Sequence, residues 1–300
     1  MEFRLLRSFL AVAETGHVGR AALKLHISQP PLTRHIHQLE SELGVTLFVR
    51  TPRGMELTDA GLLFVDEARN LLTLAEQARE RAVRADRGEI GRIDIGIFGS
   101  AIFDAIPKIL LAFRGAYPAV NIVLHALTRR AQVEALRQRR LTVGFNRFVE
   151  PESDIASRLV LRERLYVATS RLSPLFKKKR LQLADLAGEP LVLFPASPRP
   201  GFIDFVQMEC RRRGFEPRIE QEVGDSPTGL ALVASGFGTC IIPESASNLK
   251  VPGVRYQLLE DSPALTVDLS VIFRADDASP ILQRFLAVVD DIKKSQDGVE

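Results

Sequence analysis

Cysteine is nearly absent: Cys210 and Cys240 are the two in 300 residues. A disulfide framework is thereby excluded, and no Cys/His cluster has zinc spacing, so no metal and no cofactor is expected. No apolar run is long enough to span a bilayer. The first thirty residues, interrupted by Arg4, Arg7 and Glu14, offer no plausible leader-cleavage site. The expectation is a cytoplasmic chain with no membrane partner. An excess of charge is also lacking: a net charge of +3 and a pI near 9.0 permit nucleic-acid binding without arguing for it. The P-loop, GxGxxG, HExxH and GxSxG motifs are missing. His17, His26, His35 and His37 crowd near the amino terminus, leaving only His125 beyond them, so an enzyme is not expected. What is present, 46% hydrophobic and 26% charged residues with mean hydropathy +0.04, describes a folded soluble chain. Its length suits about two domains of roughly 100–200 residues.

Near the amino terminus, Leu6, Phe9, Leu10 and Ala13 fall at i, i+3, i+4 and i+7, one face of an amphipathic helix that Gly16 ends. Val18, Ala21, Ala22 and Leu25 repeat the spacing, and Leu32, Ile36, Leu39 and Leu43 form a third stripe that stops at Gly44. Between the second and third helices, Ser28 is placed to cap, and Pro30 and Pro31 fit a first turn whose N–H groups lack helical partners anyway. Opposite the third stripe lie Gln29, Pro30, Thr33, Arg34, His37 and Gln38. In a helix-turn-helix such a helix enters the major groove: Arg34 can fork onto guanine, Gln29 can pair with adenine, and Thr33 can meet a thymine methyl or a phosphate. The same face also reads as an ordinary solvated one. The alternation Val45, Leu47, Val49, the turn Arg50–Gly54 and the run Met55–Thr58 then predict a two-stranded wing. Arg50 and Arg53 at its tip are placed for phosphate or a narrow minor groove.

Thr58 or Asp59 caps a helix running to Gly88 without proline. Phe64, Ala68, Leu71, Ala75, Ala78, Ala82 and Ala85 alternate steps of four and three, the period of a coiled-coil seam. Pairing through that seam would present two recognition helices to a roughly palindromic operator in double-stranded DNA.

The segment HISQPPLTRHIHQLESELGVTLFVRTPRGMELTDAG resembles the DNA-binding signature of LysR-type transcriptional regulators over about the first 88 residues. One departure is Gly19-Arg20, where the family carries small or apolar helix formers. The resemblance implies a winged helix-turn-helix domain (residues 1–58), a linker and dimerisation helix (59–88) and an effector-binding domain (89–300).

From Gly91 on, strand and helix patterns alternate: Arg92–Phe98, Ala101–Ala116, Val120–Leu127, Arg129–Arg139, Leu141–Phe145, then a second set beginning at Leu165 and a closing helix at Pro280–Lys293. That rhythm predicts an α/β architecture of parallel sheets in two subdomains, about 89–161 with 267–300, and 162–266, with a cleft between them. The LysR resemblance implies a periplasmic-binding-protein-like layout. Gly99-Ser100 and Pro200-Gly201-Phe202 lie where strands give way to helices and an anion is welcome; Thr128 and Arg147 sit at strand ends. Each also has a structural explanation as a cap, packing residue or surface charge. The phrases MEFRLLRSFLAVAE, LTRRAQVEAL, GFNRF and PRPGF resemble the branch that controls catechol and chlorocatechol degradation and responds to muconates. That likeness implies a muconate-like dicarboxylate effector held by residues matching Ser100, Thr128, Arg147, Pro200 and Phe202. It also implies a transcriptional activator acting with RNA polymerase, and a tetramer of linker-helix dimers. Arg129 and Arg130 are more basic than that branch leads one to expect. Alternatives left open are another small anion, or thiol sensing through Cys210 and Cys240. A solute-binding protein of the same fold would need export.

Overall fold

The structure, a computed structural model, describes residues 1–52 and 54–297 and divides into two compact units, Met1–Arg84 and Ala85–Glu300. Among the described residues no helix is long and apolar enough to cross a membrane, and no group of three or more His, Cys, Asp or Glu is placed to hold a metal ion.

In the first unit, α1 (Phe3–Thr15) buries Leu5, Leu6, Phe9 and Val12 against α2 (Val18–Lys24) and α3 (Gln29–Leu43), which contribute Ala21, Ala22, Leu32, Ile36 and Leu39. Gly16 (φ 65°) and Gly44 (φ 72°) close α1 and α3 in the left-handed conformation that a side chain resists. Ser28 occupies the N-cap position of α3 in extended conformation, but its side chain makes no capping hydrogen bond, contrary to expectation. Pro30 and Pro31 in the first turn have no N–H to offer the Ser28 hydroxyl, so the cap has nothing to accept there. The wing is a hairpin of β1 (Phe48–Thr51) and β2 (Gly54–Leu57); Val45 and Leu47 precede it instead of starting it. Glu40 spends its carboxylate there, accepting from the backbone N–H of Leu47 (2.8 Å) and Phe48 (3.2 Å), which ties α3 to the wing. Thr58 accepts from the Gly61 N–H at 3.0 Å and so caps α4 (Asp59–Asp86).

The second unit holds a seven-stranded sheet in the order β10-β6-β11-β5-β3-β4, with β9 also paired to β6. Strands β3 (Gly91–Ile97), β4 (Val120–Ala126) and β5 (Val143–Asn146) are parallel to one another, linked by α5 (Ala105–Ala116) and α6 (Arg129–Arg137). The long β6 (Ile155–Ser170) runs antiparallel to β9 (Cys240–Pro243), β10 (Val254–Leu258) and β11 (Thr266–Arg274), and β11 is antiparallel to β5. The all-parallel expectation is therefore corrected to a mixed sheet: the chain leaves one subdomain and returns on two neighbouring strands, which must run in opposite directions. A separate parallel pair joins β7 (Pro190–Leu193) to β8 (Arg218–Glu222), flanked by α7 (Phe202–Arg212) and α8 (Ser226–Ala234); α9 (Pro280–Asp297) closes the unit.

Two principal cores divide along β6 and β11. One gathers Ile93, Ile95, Ile106, Phe113, Phe145, Leu269 and Phe285. The other gathers Leu165, Val167, Leu191, Leu193, Ile203, Val206 and Leu265. The same two strands thus serve both subdomains, and the cleft opens between the cores.

Candidate functional site

On α3 the side opposite the buried stripe leaves Ser28, Gln29, Pro30, Arg34 and His37 exposed, while Thr33 is half-buried and donates to the Gln29 carbonyl at 3.2 Å. Arg50 is exposed on β1; Arg53 lies outside the described residues. His37 Nδ1 stands 3.6 Å from Glu40. His35, not singled out from sequence, is half-buried, and its Nδ1 is hydrogen-bonded to the buried Ser8 hydroxyl at 2.9 Å, fixing the rotation of α3 against α1. Gly19 has a local reason: a Cβ there would lie 3.2 Å from the Gln29 amide nitrogen. The missing methyl leaves room for the side chain that stands at the helix's leading end.

The seam on α4 needs correction. Phe64 packs on Phe9 with ring centroids 5.2 Å apart, and Ala68 is fully buried in the core of its own unit, so Ala68 presents nothing to a second helix. Ala75 is half-buried, while Leu71, Ala78 and Ala82 are exposed. Leu71, Ala78, Ala82 and Ala85 of the seam stay exposed, and the exposed Leu63 and Leu74 lie beside them. The amino-terminal part of the seam thus faces its own unit, while the same series from Leu71 onward is free to face outward.

Within the second unit a cavity of about 500 Å³ is lined by Ser100, Thr128, Arg147, Pro200 and Phe202 together with Phe98, Arg129, Asn146, Phe148 and Phe194. That volume falls in the usual range of small-molecule sites, roughly 300–1,000 Å³. Ser100 is buried and starts a 3-10 turn (Ser100–Phe103), not α5, which begins only at Ala105. The helix end expected at Gly99-Ser100 is therefore absent, because Asp104 breaks the helical conformation. The Ser100 hydroxyl instead accepts from Ser245 Oγ across the cleft at 3.0 Å. Thr128 caps α6, its hydroxyl 3.5 Å from the Ala131 N–H. Phe202 opens α7 but is buried, and Asp204 already accepts from the Gly201 N–H at 2.6 Å.

Arg147 faces the cavity but is not idle. Its Nη2 pairs with Glu163, whose other oxygen accepts from the Ser245 N–H at 2.8 Å; the two charged side chains are 13% and 7% exposed. Its Nη1 is buried with no partner, as is Asn146 Oδ1. Glu163 escaped the sequence reading because it sits in the charged stretch Arg162-Glu163-Arg164, which looks solvated; only the alternation of a strand would have turned it inward.

Gln132 was missed too. Fully buried on α6, it donates to the Leu127 carbonyl at 2.8 Å and accepts from Asn146 Nδ2 at 2.6 Å. Its amide fits because the paired residues Gly96 and Gly144 lack side chains: a Cβ on Gly144 would sit 2.1 Å from Gln132 Oε1. One amide thus orders the residues immediately before Thr128 and Arg147.

Neither cysteine suits a thiol sensor. Both are buried and free. Burial pushes the Cys210 thiol up to about 11 against the weaker pull of Arg213, and pushes Cys240 higher still. A reactive sensor needs the opposite shift.

The chain matches the family model for the bacterial regulatory helix-turn-helix protein, lysR family, over residues 3–62, and that for the LysR substrate binding domain over residues 86–292. It is 42% identical over 288 residues to the HTH-type transcriptional regulator TfdS of Cupriavidus pinatubonensis, covering 96% of this chain and 97% of that protein. Among solved structures it is similar to full-length CbnR complexed with its target DNA, at TM-score 0.88 and 37% identity over 98% of this chain and 100% of that one. It is also similar to the BenM effector binding domain with its effector benzoate, at TM-score 0.63 and 31% identity over 69% of this chain and 94% of that one.

Proposed function

The chain belongs to the LysR family of transcriptional regulators, a DNA-binding regulator and not an enzyme, and on that premise we propose that it activates an aromatic or chloroaromatic catabolic operon in response to a muconate-like dicarboxylate. The observation that carries this reading is the cavity between the two cores, where Ser100, Thr128, Arg147, Pro200 and Phe202 converge among aromatic side chains. A flat unsaturated dianion suits such a site: carboxylates at its ends, an apolar middle against Phe98, Phe148 and Phe194.

Ser28, Gln29, Pro30, Thr33, Arg34 and His37 read base edges and adjacent phosphates in an operator, with Arg50 and Arg53 on the backbone beside them. Two chains pair through the exposed stripe of α4, and dimers associate into a tetramer that meets RNA polymerase. The working compartment is the cytoplasm, where operator DNA is found. Domain limits follow the same reading, 1–58, 59–88 and 89–300, with the last split along β6 and β11.

Calorimetric titration of the full-length chain with cis,cis-muconate and a chlorinated muconate tests the effector assignment. Saturable binding, lost in the Arg147→Ala, Glu163→Gln double variant, is the expected result; the second change avoids stranding a buried carboxylate. No binding by the folded wild type would overturn the muconate assignment. A second reading, an aromatic monocarboxylate, is favoured by the aromatic wall and by benzoate in the BenM domain. Benzoate belongs in the same titration series.

A further inference from the structure

Arg129, the first residue of α6, lies on the cleft wall with its side chain only 15% exposed. Its guanidinium donates to the carbonyl of Phe148, the residue after Arg147. It also reaches the Pro200 carbonyl on the far wall at 3.3 Å and Glu150 at 3.1 Å. One side chain of the first subdomain therefore touches both the segment that carries Arg147 and the opposite side of the cleft.

The charge balance of the two cleft arginines differs. Arg147 is matched by Glu163, a carboxylate that is itself buried, so that pair brings little net charge to an incoming anion. Two of Arg129's three acceptors are neutral carbonyls, and Glu150 is 61% exposed, where water screens its attraction. The lining also holds Asp225, one of whose oxygens accepts from the Thr228 N–H at 2.8 Å; Arg129 is the lining cation with no buried carboxylate as its partner. A ligand with one charged end can be held by hydrogen bonds alone at the end of the cleft lined by Ser100 and Thr128. A ligand with two charged ends leaves one carboxylate desolvated without a counter-charge unless a second cation receives it.

We propose that Arg129 is the second carboxylate anchor of the cleft and the residue that makes it select dianions over monoanions. One carboxylate lies at the end of the cleft lined by Ser100 and Arg147; the other meets Arg129, displacing its long contact to the Pro200 carbonyl. This rests on the dicarboxylate reading given above and extends it to a residue outside the predicted set.

The test is calorimetric titration of the full-length chain with cis,cis-muconate and with its monomethyl ester, which keeps the carbon frame but only one charge. Wild type is expected to prefer the dianion at least tenfold. Arg129→Gln should weaken the dianion by about ten- to a hundredfold, the range of a charge-assisted hydrogen bond, and the ester by less than about threefold. Arg129→Lys should keep part of the preference. Equal loss for both ligands would make Arg129 a structural brace and overturn the proposal, as would no loss for either. If folded wild type binds neither ligand, the dicarboxylate reading falls and this inference with it. If the glutamine variant keeps full muconate affinity, only Arg129's role falls.

Discussion

Replacing Gln132 with leucine keeps the volume of the side chain and removes its two hydrogen bonds. The Leu127 carbonyl and the Asn146 amide nitrogen, 2.8 and 2.6 Å from it in the folded chain, then lose their partner beside Gly96 and Gly144, Asn146 in a buried position and Leu127 in a partly buried one. Each stranded polar group costs about 1–3 kcal/mol, so the substitution should destabilise the second unit by about 2–5 kcal/mol. For a unit of this size that corresponds to a fall in melting temperature of about 5–15 °C. Scanning calorimetry of the full-length protein measures the fall. Hydrogen exchange locates it: amides of β3, β5 and α6 should lose protection while those of α1–α3 keep theirs. Gly144→Ala, whose new methyl would meet the Gln132 oxygen at 2.1 Å, should reproduce the effect from the opposite side. A shift below about 2 °C in both variants, with exchange unchanged, would refute the view that this amide holds the two strand ends together.

Other expectations concern separate parts of the molecule. Gly61→Ala brings a Cβ to 2.2 Å from the Leu47 carbonyl, a backbone atom that cannot step aside, so thermal unfolding should show the first unit weakened by about 1–3 kcal/mol. Both cysteines should resist iodoacetamide at about pH 8 until denaturant is added, since burial raises their thiols; rapid labelling of folded protein would contradict the environments described. Asp94, held below the ordinary carboxylate range first by Arg92 (2.8 Å) and then by His125 (2.7 Å), contributes stability above the unfolded value of about 3.8 that disappears as pH falls through the depressed folded one. The gap between the urea midpoints of wild type and Asp94→Asn should therefore be present above about pH 5 and shrink steadily as the pH is lowered below about 3.8.

The parts of the fold legible in the residues are those with local periodicity. Leu6, Phe9, Leu10 and Ala13, and Leu32 to Leu39, announce α1 and α3 because a helix facing one core must repeat its apolar residues at that spacing, although Leu5 and Val12 lie deeper in α1 than Leu10 and Ala13. Position along the chain also betrayed Ser100, Thr128, Arg147 and Phe202, since strand ends are where clefts open. What escaped depends on distant partners. Glu163 and Gln132 look like solvent-facing residues until β6 and the glycines of β3 and β5 close over them. On α4 the periodicity did not distinguish Phe64 and Ala68, which pack into their own unit, from Leu71, Ala78 and Ala82, which stay exposed. Strand β10 went unread although Val254, Tyr256 and Leu258 alternate with Arg255 and Gln257, since it spans only five residues outside the regular alternation of strands and helices.

The two subdomains share β6 and β11 as an unbroken antiparallel ribbon, interrupted only by a shift of register between Leu269 and Ser270. A ribbon of paired backbone cannot swing open as two lobes do on flexible loops; its soft motion is torsion, and an irregular pairing is where torsion gathers. Closing the cleft on a small molecule therefore winds a spring, and the energy of that winding is carried along the strands themselves. The stiffness of this ribbon, more than the size of what enters the cleft, then sets how far the two cores turn about each other.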